Sequence, residues 1–550
     1  MRWRKAVRLF FIFLGSVFGI IALLFVFLNL PFLDGFVTKQ CNQILDKAND
    51  PIHVDAIKRV MPYSVKIQGV LFTVPGGETF IHVGELKSNC KFRALVRKKV
   101  ILQDLDLDQA SVDLQMNYDT GKFNIAEAFN AGKKPRASKE KGKAAWVISV
   151  KKGKLSETHF RMCDSISGIH ILQDISGLKL KGFSVSLPAR EILANTLELD
   201  GAAGNIALGS GQGTKNKKEE KGPPWNFGFL NLSMKDIDFA YSNESDGLSL
   251  ETILGEAMIR ANEIDMRSKV IDLKRISLSH TTTKILPGNG PGKSELRNEP
   301  VPQDFPWSVR NKTLDLEDIN LILRRGDNPH TDSLANTIQV SGLDLKLREL
   351  LLDKDYAGAE INKLGFTLDN GFTVKNLKGD LESGPASTEL NLALETGYSH
   401  LNLEALAGEG FFGIISNPDG MSKANLSISK TGLSLEDLAY FIDGLKDQPS
   451  FITLAAKPYT LSGEIGIKES AFSFSGFSLT QDKNFKLSLF GSVEDLLQFD
   501  DASGNMNLSL SDVDMNWLNR LLKSFGIDNG SRELTLLSLQ ADISESFVSP

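Results

Sequence analysis

Short runs in which every second residue is apolar recur along most of this 550-residue chain. Alternation with a period of two is typical of a β-strand that has one apolar and one polar face. Helical periodicity is confined to short segments, so the chain is predicted to be mainly β. The apolar members of the runs are Leu105, Leu107, Val112, Leu114, Met116, Leu178, Leu180, Leu314, Leu316, Leu343, Leu345, Leu347, Met506, Leu508 and Leu510.

The N-terminal segment predicts a membrane anchor. Residues 9–28 carry no charge, and about 20 helical residues span a hydrocarbon layer of roughly 30 Å. Several basic residues precede this run, which places residues 1–8 in the cytoplasm. The alternative is a cleaved signal peptide, but the run is longer than a typical h-region and residues 29–32 contain no small-x-small cleavage site. We therefore expect an uncleaved transmembrane signal anchor over 9–30, with the rest of the chain beyond the membrane.

An internal repeat is visible in the spacing of tryptophans. Trp146, Trp225 and Trp307 are almost evenly spaced, and each leads into an apolar run that is predicted to be a strand. Each also follows a polar stretch that is too poor in apolar residues to order itself and is expected to be an exposed loop. These stretches are 132–143, 211–222 and 287–303. The alternative is that the even spacing arose by chance, since no Trp stands near 388 or 469.

Three segments have the periodicity of short amphipathic helices, namely 34–46, 434–445 and 512–525. The first is expected to leave the membrane, with Phe36, Ile44 and Leu45 on one face. In the second, Ser434 and Asp437 form a start signal. The apolar faces of the second and third are predicted to contain Leu435, Leu438, Phe441, Ile442 and Leu445, and Met515, Leu518, Leu522 and Phe525.

The composition and motifs favour neither an enzyme nor a nucleic-acid-binding protein. The net charge of −6 provides no electrostatic footprint for DNA or RNA. The seven histidines are scattered without metal-ligand spacing, and no G-x-S-x-G nucleophile elbow occurs. Residues 209–214 resemble a phosphate loop only superficially, because Thr214 stands where the third glycine of G-x-G-x-x-G would fall. The prediction is a protein with no catalytic site, cofactor or metal.

Two segments near the N-terminus carry a family resemblance. Gly69-Val70-Leu71-Phe72 followed by Gly76-Gly77-Glu78, and later the segment 121–129 (GKFNIAEAF), resemble the N-terminal region of AsmA-like proteins. The basic stub, the single helix and the linker before the first Trp-led strand match the same pattern. We therefore identify the chain as similar to the AsmA-like family, which includes TamB-like proteins and is related to chorein-type bridge-like lipid transfer proteins.

The resemblance implies a fold and a location. AsmA-like proteins are bacterial inner-membrane proteins with a cytoplasmic N-terminus and a periplasmic body. The body implied here is an elongated, repetitive, curled antiparallel β-sheet that forms a hydrophobic groove, with a few short amphipathic helices. Its expected parts are an N-terminal cap region at 31–130, a flexible linker at 131–145, a repeating β-groove at 146–430 and a further β-repeat at 431–550.

The function implied by the resemblance is phospholipid transport between the inner and outer membranes, with acyl chains in the groove. The apolar residues of the alternating runs are then the candidate groove lining. Two alternatives stay open from the sequence. The apolar strand faces could instead be covered by a second sheet, as in a β-sandwich. The protein could also be a non-enzymatic scaffold for outer-membrane protein assembly, working with an outer-membrane partner through its strand edges.

Overall fold

The computed structural model describes residues 31–48, 51–61, 64–74, 77–90, 99–118, 120–130, 147–186, 189–209, 226–245, 247–286, 306–324, 337–416, 423–442, 444–468, 471–494, 503–525 and 538–544. The protein is mainly β, with 23 strands of mixed sheet and a few short helices in these residues. It divides into two compact units. Unit 1 comprises Met1–Ile253 with Gly288–Pro291, and unit 2 comprises Leu254–Pro287 with Gly292–Pro550.

The described residues of unit 1 form two helices and nine complete strands. The helices are α1 (Pro31–Ala48) and α2 (Asn124–Asn130). The strands are β1 (Ile52–Met61), β2 (Ser64–Thr73), β3 (Thr79–Cys90), β4 (Lys99–Asn117), β5 (Lys122–Phe123), β6 (Val147–Asp164), β7 (Ile169–Ser186), β8 (Glu191–Leu208) and β9 (Asn226–Asn243). The division between the units falls within β10 (Leu248–Asp265).

The part of unit 2 that the structure describes forms the remaining strands, three α-helices and two 3-10 helices. The strands are β11 (Val270–Leu286), β12 (Ser308–Arg324), β13 (Thr337–Leu352), β14 (Ala357–Leu368), β15 (Thr373–Ser383), β16 (Thr388–Thr396), β17 (His400–Ala407), β18 (Lys423–Leu433), β19 (Tyr459–Lys468), β20 (Ala471–Gln481), β21 (Phe485–Glu494), β22 (Ser503–Ser511) and β23 (Ser538–Ser544). The helices are α3 (Phe411–Ser416), η1 (Leu435–Tyr440), η2 (Leu445–Asp447), α4 (Pro449–Ala455) and α5 (Met515–Ser524).

The repeat predicted from the tryptophans corresponds to a group of three long strands. β6, β9 and β12 begin at the residue directly after Trp146, Trp225 and Trp307. The three strands β6, β7 and β8 are equal in length. β9, β10 and β11 begin at the same number of residues after the starts of β6, β7 and β8, respectively. The repeating unit is therefore an antiparallel group of three strands.

The sheet is mixed, so the prediction of an antiparallel sheet was wrong for three of the strand pairs in the described residues. β4 pairs with β6, β8 with β9, and β11 with β12 in parallel, whereas β6, β7 and β8 pair antiparallel. β6 and β9 run in the same direction, so each group of three begins at the same end of the sheet and finishes at the opposite end. The first strand of the next group therefore runs parallel to the last strand of the group before it, and parallel neighbours need a long connection. The polar segments before the three tryptophans lie in the chain between the two strands of each parallel pair.

Five of the long strands, β4, β6, β9, β11 and β12, carry a backbone kink at their eleventh residue. The φ angle is positive at Gln109, Glu157 and Asp236 of unit 1 and at His280 and Asp318 of unit 2, with values of 48–53°. In the parallel pairs two kinks lie side by side: Gln109 Nε2 donates to Glu157 Oε2 at 3.2 Å, and Nδ1 of His280 lies 3.0 Å from Asp318 Oδ2. The Asp318 carboxylate raises the pKa of His280. The residues in the left-handed region are thus mainly polar side chains on the exposed face.

The kinks shift the alternation of side chains by one residue. Along β4 the inward positions pass from Leu107 to Ala110, and along β6 from Leu155 to Thr158, instead of advancing by two. Because neighbouring strands make this step at the same level, the pairing register of β4, β6 and β7 continues unchanged through it. The apolar runs at Leu105 and Val112, predicted as short runs, belong to one 19-residue strand.

Glycine occupies the kink position in β8, and this position yields a stability prediction. Gly201 has φ +70°, and a Cβ atom there would lie 3.0 Å from Oγ of Ser176. We expect Gly201→Val to lower the free energy of unfolding of unit 1 by about 1–3 kcal/mol, because a β-branched residue is strained at positive φ. Asp236→Gly, at the kink beside it in β9, removes left-handed strain and should not destabilise. Hydrogen exchange of the β8 amides in both variants checks this, because it reports the stability of this region by itself, and equal effects would contradict it.

Helix α1 covers the free edge of β1. The Asn42 side chain donates to the Val54 carbonyl at 2.8 Å and accepts from the Val54 N–H at 3.1 Å, and Thr38 Oγ1 accepts from the Ile57 N–H at 2.9 Å. These bonds satisfy edge groups that would otherwise be open to pairing with another strand. The predicted helix at 34–46 is therefore present, although Phe36 and Ile44 of its predicted apolar face are 58% and 65% exposed.

The C-terminal part of unit 2 has a closed hydrophobic core. Tyr459, Phe485 and Trp517 are buried at its centre, and the Phe485 and Trp517 rings lie 5.0 Å apart. Burial raises the pKa of Tyr459 to about 12. The predicted helix at 512–525 is α5, but its buried side chain is Trp517, and Phe525 of the predicted face is 58% exposed.

The predicted α-helix at 434–445 is replaced by η1 and η2. Ser434 caps η1, as predicted, because its Oγ accepts from the Glu436 N–H. η1 ends at Tyr440, so Phe441 and Ile442 of the predicted apolar face lie beyond its last residue. Leu438, Phe441 and Ile442 are 48–57% exposed.

Several predictions concern residues outside those that the structure describes. The anchor at 9–30, the linker at 131–145 and the loops at 211–222 and 287–303 are among them. Within the described residues, none of the helices combines the length and apolar character needed to cross a bilayer.

Candidate functional site

An unbroken row of apolar side chains crosses eight strands of unit 1. Neighbouring members of the row are directly paired, so all of them lie on one face of the sheet. The row is Ile57, Ile67, Leu86, Leu107, Leu155, Leu178, Leu199 and Met234. Every member is half-buried. This row, called the unit-1 row below, is therefore a continuous apolar stripe that keeps part of each side chain open.

The candidate residues of unit 1 lie in or beside this row. Leu107 and Leu178 belong to it. Leu105 and Leu180 both pair with Gly153, which lies two residues before Leu155 of the row on β6. On the far side of the kink, Val112 pairs with Ile81 and Phe160, Leu114 pairs with Met162, and Met116 pairs with Phe123. The structure thus brings the candidates of β4 and β7 onto one apolar face.

A row made only of leucines crosses seven strands of unit 2, from β11 to β17. It consists of Leu278, Leu316, Leu345, Leu364, Leu377, Leu394 and Leu401, each directly paired with the next. All seven are half-buried, in contrast to Trp517, which is 7% exposed in the closed core. This set is called the leucine row below.

The candidate residues of unit 2 fall into two groups. Leu316 and Leu345 belong to the leucine row, Leu314 pairs with Leu347 one step away, and Leu343 pairs with Ile319. Met506, Leu508 and Leu510 lie together on β22, but Leu510 packs against the core cluster centred on Trp517. Leu510 is therefore occupied by protein and is a poor candidate for an open lining.

Sequence reasoning missed most members of both rows. In unit 2 the signal was present, because Leu390, Leu392 and Leu394 alternate, and so do Leu401 and Leu403. In unit 1 the missed members include Ile57, Ile67 and Leu86, which lie in shorter or less regular runs. Only the strand register shows that these side chains stand in line with Leu107 and Leu178.

The opposite face of the sheet is charged. In unit 1, Lys181 Nζ lies 3.1 Å from Glu198 Oε1, and Glu85 makes ion pairs with Lys66 and Lys87 at 2.5 and 2.8 Å. The hydrogen bond from Lys66, and to a smaller extent that from Lys87, lowers the pKa of Glu85 to about 2. In unit 2, Arg275 pairs with Asp315 and Lys363 with Asp344, both at 2.8 Å. The sheet is thus amphipathic, with solvated charge behind each apolar row.

The leucine row ends in a cavity of about 310 Å³. Leu394 and Leu401 line it from the sheet, and Phe372, Leu438 and Phe441 are among the other lining residues. The rings of Phe372 and Phe441 lie 5.0 Å apart, and Phe441 is 57% exposed. The cavity is therefore walled by apolar side chains and bordered by exposed ones.

Polar residues in the cavity wall are bonded to each other. Thr396 Oγ1 and Ser399 Oγ donate to Asp437 Oδ2 at 2.6 and 2.5 Å, and the Ser434 N–H donates to Ser399 Oγ at 2.9 Å. The other oxygen of Asp437, Oδ1, is buried without a partner. This network fixes η1 against the β16–β17 turn and holds the wall of the cavity in place.

The described residues contain no group of three or more His, Cys, Asp or Glu side chains placed to hold a metal ion. Comparison of this chain with models of protein families, with curated proteins and with solved structures finds no match. The features of the described residues that bear on function are the apolar rows, their charged reverse face and the cavity.

Proposed function

We propose that this protein carries phospholipid along the apolar face of its sheet. In this proposal it is anchored in the bacterial inner membrane by residues 9–30, and its periplasmic body moves lipid between the inner and outer membranes. The sheet would form an elongated hydrophobic groove that takes the acyl chains and leaves the headgroups in water. The protein would act without catalysis and would support the lipid homeostasis of the outer membrane.

The observation that carries the proposal is the leucine row. Seven leucines stand in register across seven strands, yet each stays half-buried. A face packed against a second sheet, as in a sandwich, would bury such side chains fully. An uninterrupted and partly open leucine stripe suits a ligand that is itself a long hydrocarbon.

The energetic need for such a stripe is large. Exposing one methylene group to water costs about 0.8 kcal/mol, so a two-chain phospholipid with roughly 30 methylenes would cost over 20 kcal/mol to expose. Apolar contact with the sheet removes most of this penalty. The alternative role, a scaffold for outer-membrane proteins, depends on open strand edges, and α1 occupies the edge of β1.

Lipid transfer between vesicles tests the proposal. The full chain is inserted into donor vesicles that contain a fluorescent phospholipid, and the appearance of this lipid in acceptor vesicles is followed. We expect transfer that increases with the amount of protein and is lost in Leu345→Asp, with Lys346→Asp on the exposed side of the same strand as the control. The proposal would be overturned if the wild-type protein and both variants all transferred lipid no faster than vesicles without protein.

A further inference from the structure

The cavity at the end of the leucine row has no role in a simple conduit. A groove needs only a continuous apolar surface, whereas this cavity is a concave pocket closed on one side by η1. Two leucines of the row, Leu394 and Leu401, also line the cavity. A hydrocarbon that follows the row therefore reaches this pocket without leaving apolar contact.

We propose that this cavity is a terminal binding pocket for one hydrocarbon chain of a lipid. The inference depends on the proposed lipid-carrying function and adds a defined site to it. In this pocket an acyl chain ends against η1, with its last methylenes between the sheet and the aromatic pair Phe372 and Phe441. The leucine row then has a preferred end position, at which a lipid pauses.

The chemistry of the wall favours hydrocarbon over a polar ligand. The polar atoms of Thr396, Ser399 and Ser434 are used in the network around Asp437. Oδ1 of Asp437 has no partner, but it is buried in the wall, so a ligand in the cavity does not reach it while the network is intact. A polar ligand would have to break these bonds, and each broken bond would leave a buried group unsatisfied at a cost of about 1–3 kcal/mol. A hydrocarbon chain leaves the network intact and gains contact with the leucines and phenylalanines.

The size of the cavity fits part of a lipid and excludes a whole one. An apolar cavity of about 150 Å³ holds one benzene molecule, and pockets for drug-sized ligands begin at about 300 Å³. At about 310 Å³ the cavity has room for a chain segment, while the headgroup stays outside. The exposed side chains of Leu438 and Phe441, at 48% and 57%, border the cavity and are suited to cover the rest of the chain.

Photo-cross-linking in the full chain tests the pocket. A benzophenone amino acid replaces Phe441 at the cavity, Leu345 in the middle of the leucine row, or Phe490 in three separate proteins. Phe490 is the matched control, because it is an aromatic residue that is 66% exposed and alternates with the inward residues Leu489 and Gly491 of β21. Each protein is irradiated in membranes of known phospholipid composition, and lipid adducts are measured by mass spectrometry.

We expect phospholipid adducts at Phe441 and Leu345 and none at Phe490. Filling the cavity with Leu401→Trp should abolish the adduct at Phe441 and leave the adduct at Leu345. Leu394→Phe is a smaller change that should reduce the Phe441 adduct in the same direction, and it serves if Leu401→Trp fails to fold.

The outcomes separate this inference from the proposed function. Adducts at Leu345 but not at Phe441 would overturn the pocket and leave the lipid-carrying function standing. An adduct at Phe441 that persists in both filled variants would show contact with the membrane surface and would also overturn the pocket. Absence of adducts at both Leu345 and Phe441 would overturn the proposed function itself.

Discussion

Replacing Leu178 and Leu180 with aspartate should reduce lipid transfer about tenfold or more, because a carboxylate without a partner costs several kcal/mol beside hydrocarbon. Leu178 belongs to the unit-1 row, and Leu180 lies one step from it on the same face of β7. The pair therefore puts two charges where the proposal places acyl chains. The vesicle assay measures the effect, with circular dichroism to confirm that the variant is folded.

The matched control for this substitution lies on the same strand. Leu172 is also in β7, but it points to the opposite face and is 47% exposed. Leu172→Asp makes the same chemical change and should leave transfer near the wild-type rate. A folded Leu178→Asp, Leu180→Asp protein that transfers lipid as well as Leu172→Asp would show that acyl chains do not use this face.

The second large effect concerns stability. Trp517→Ala removes the largest side chain of the core between α5 and the sheet, where it packs 5.0 Å from Phe485. We expect the local stability of this region to fall by about 3–5 kcal/mol, as large-to-small substitutions in a core do. Trp517→Phe should cost less, because the Trp517 Nε1–H is buried without a hydrogen-bond partner and its removal relieves that penalty.

Hydrogen exchange of the amides in β21 is the suitable measurement, because a chain with more than one unit need not unfold in a single step. A loss of about 1.4 kcal/mol corresponds to about tenfold faster exchange, so Trp517→Ala should accelerate these amides strongly. Phe525→Ala, at the end of α5, is the control, since Phe525 is 58% exposed. Equal exchange rates in the two variants would show that Trp517 does not hold this core together.

Local patterns in the sequence predicted local structure well. Alternation identified strands, the three tryptophans marked the starts of β6, β9 and β12, and Ser434 was a correct helix cap. For α5, the cap is Asp514, whose side chain accepts from the N–H groups of Asn516 and Trp517. These features depend on neighbouring residues, so a single sequence contains the information for them.

Features that depend on partners distant in the chain were not predictable in the same way. The parallel pairing of β8 with β9 is set by how three strands and a connection fit together, and alternation alone does not distinguish parallel from antiparallel neighbours. The sequence of β4 alone also does not predict the kink at Gln109. The residue that pairs with it, Glu157, belongs to a different strand, far along the chain. The apolar rows follow from register, and for that reason only some of their members could be chosen from the sequence.

Native mass spectrometry of the full chain, with lipid extraction in parallel, tests the central claim most directly. The wild-type protein is produced in bacteria, purified without detergent and compared with a variant that carries Leu345→Asp and Leu364→Asp in the leucine row. If the row holds acyl chains, the wild type retains several phospholipids per chain and the variant loses those along unit 2. A wild-type protein that is free of lipid, or a folded variant that retains the same lipids, would contradict the account.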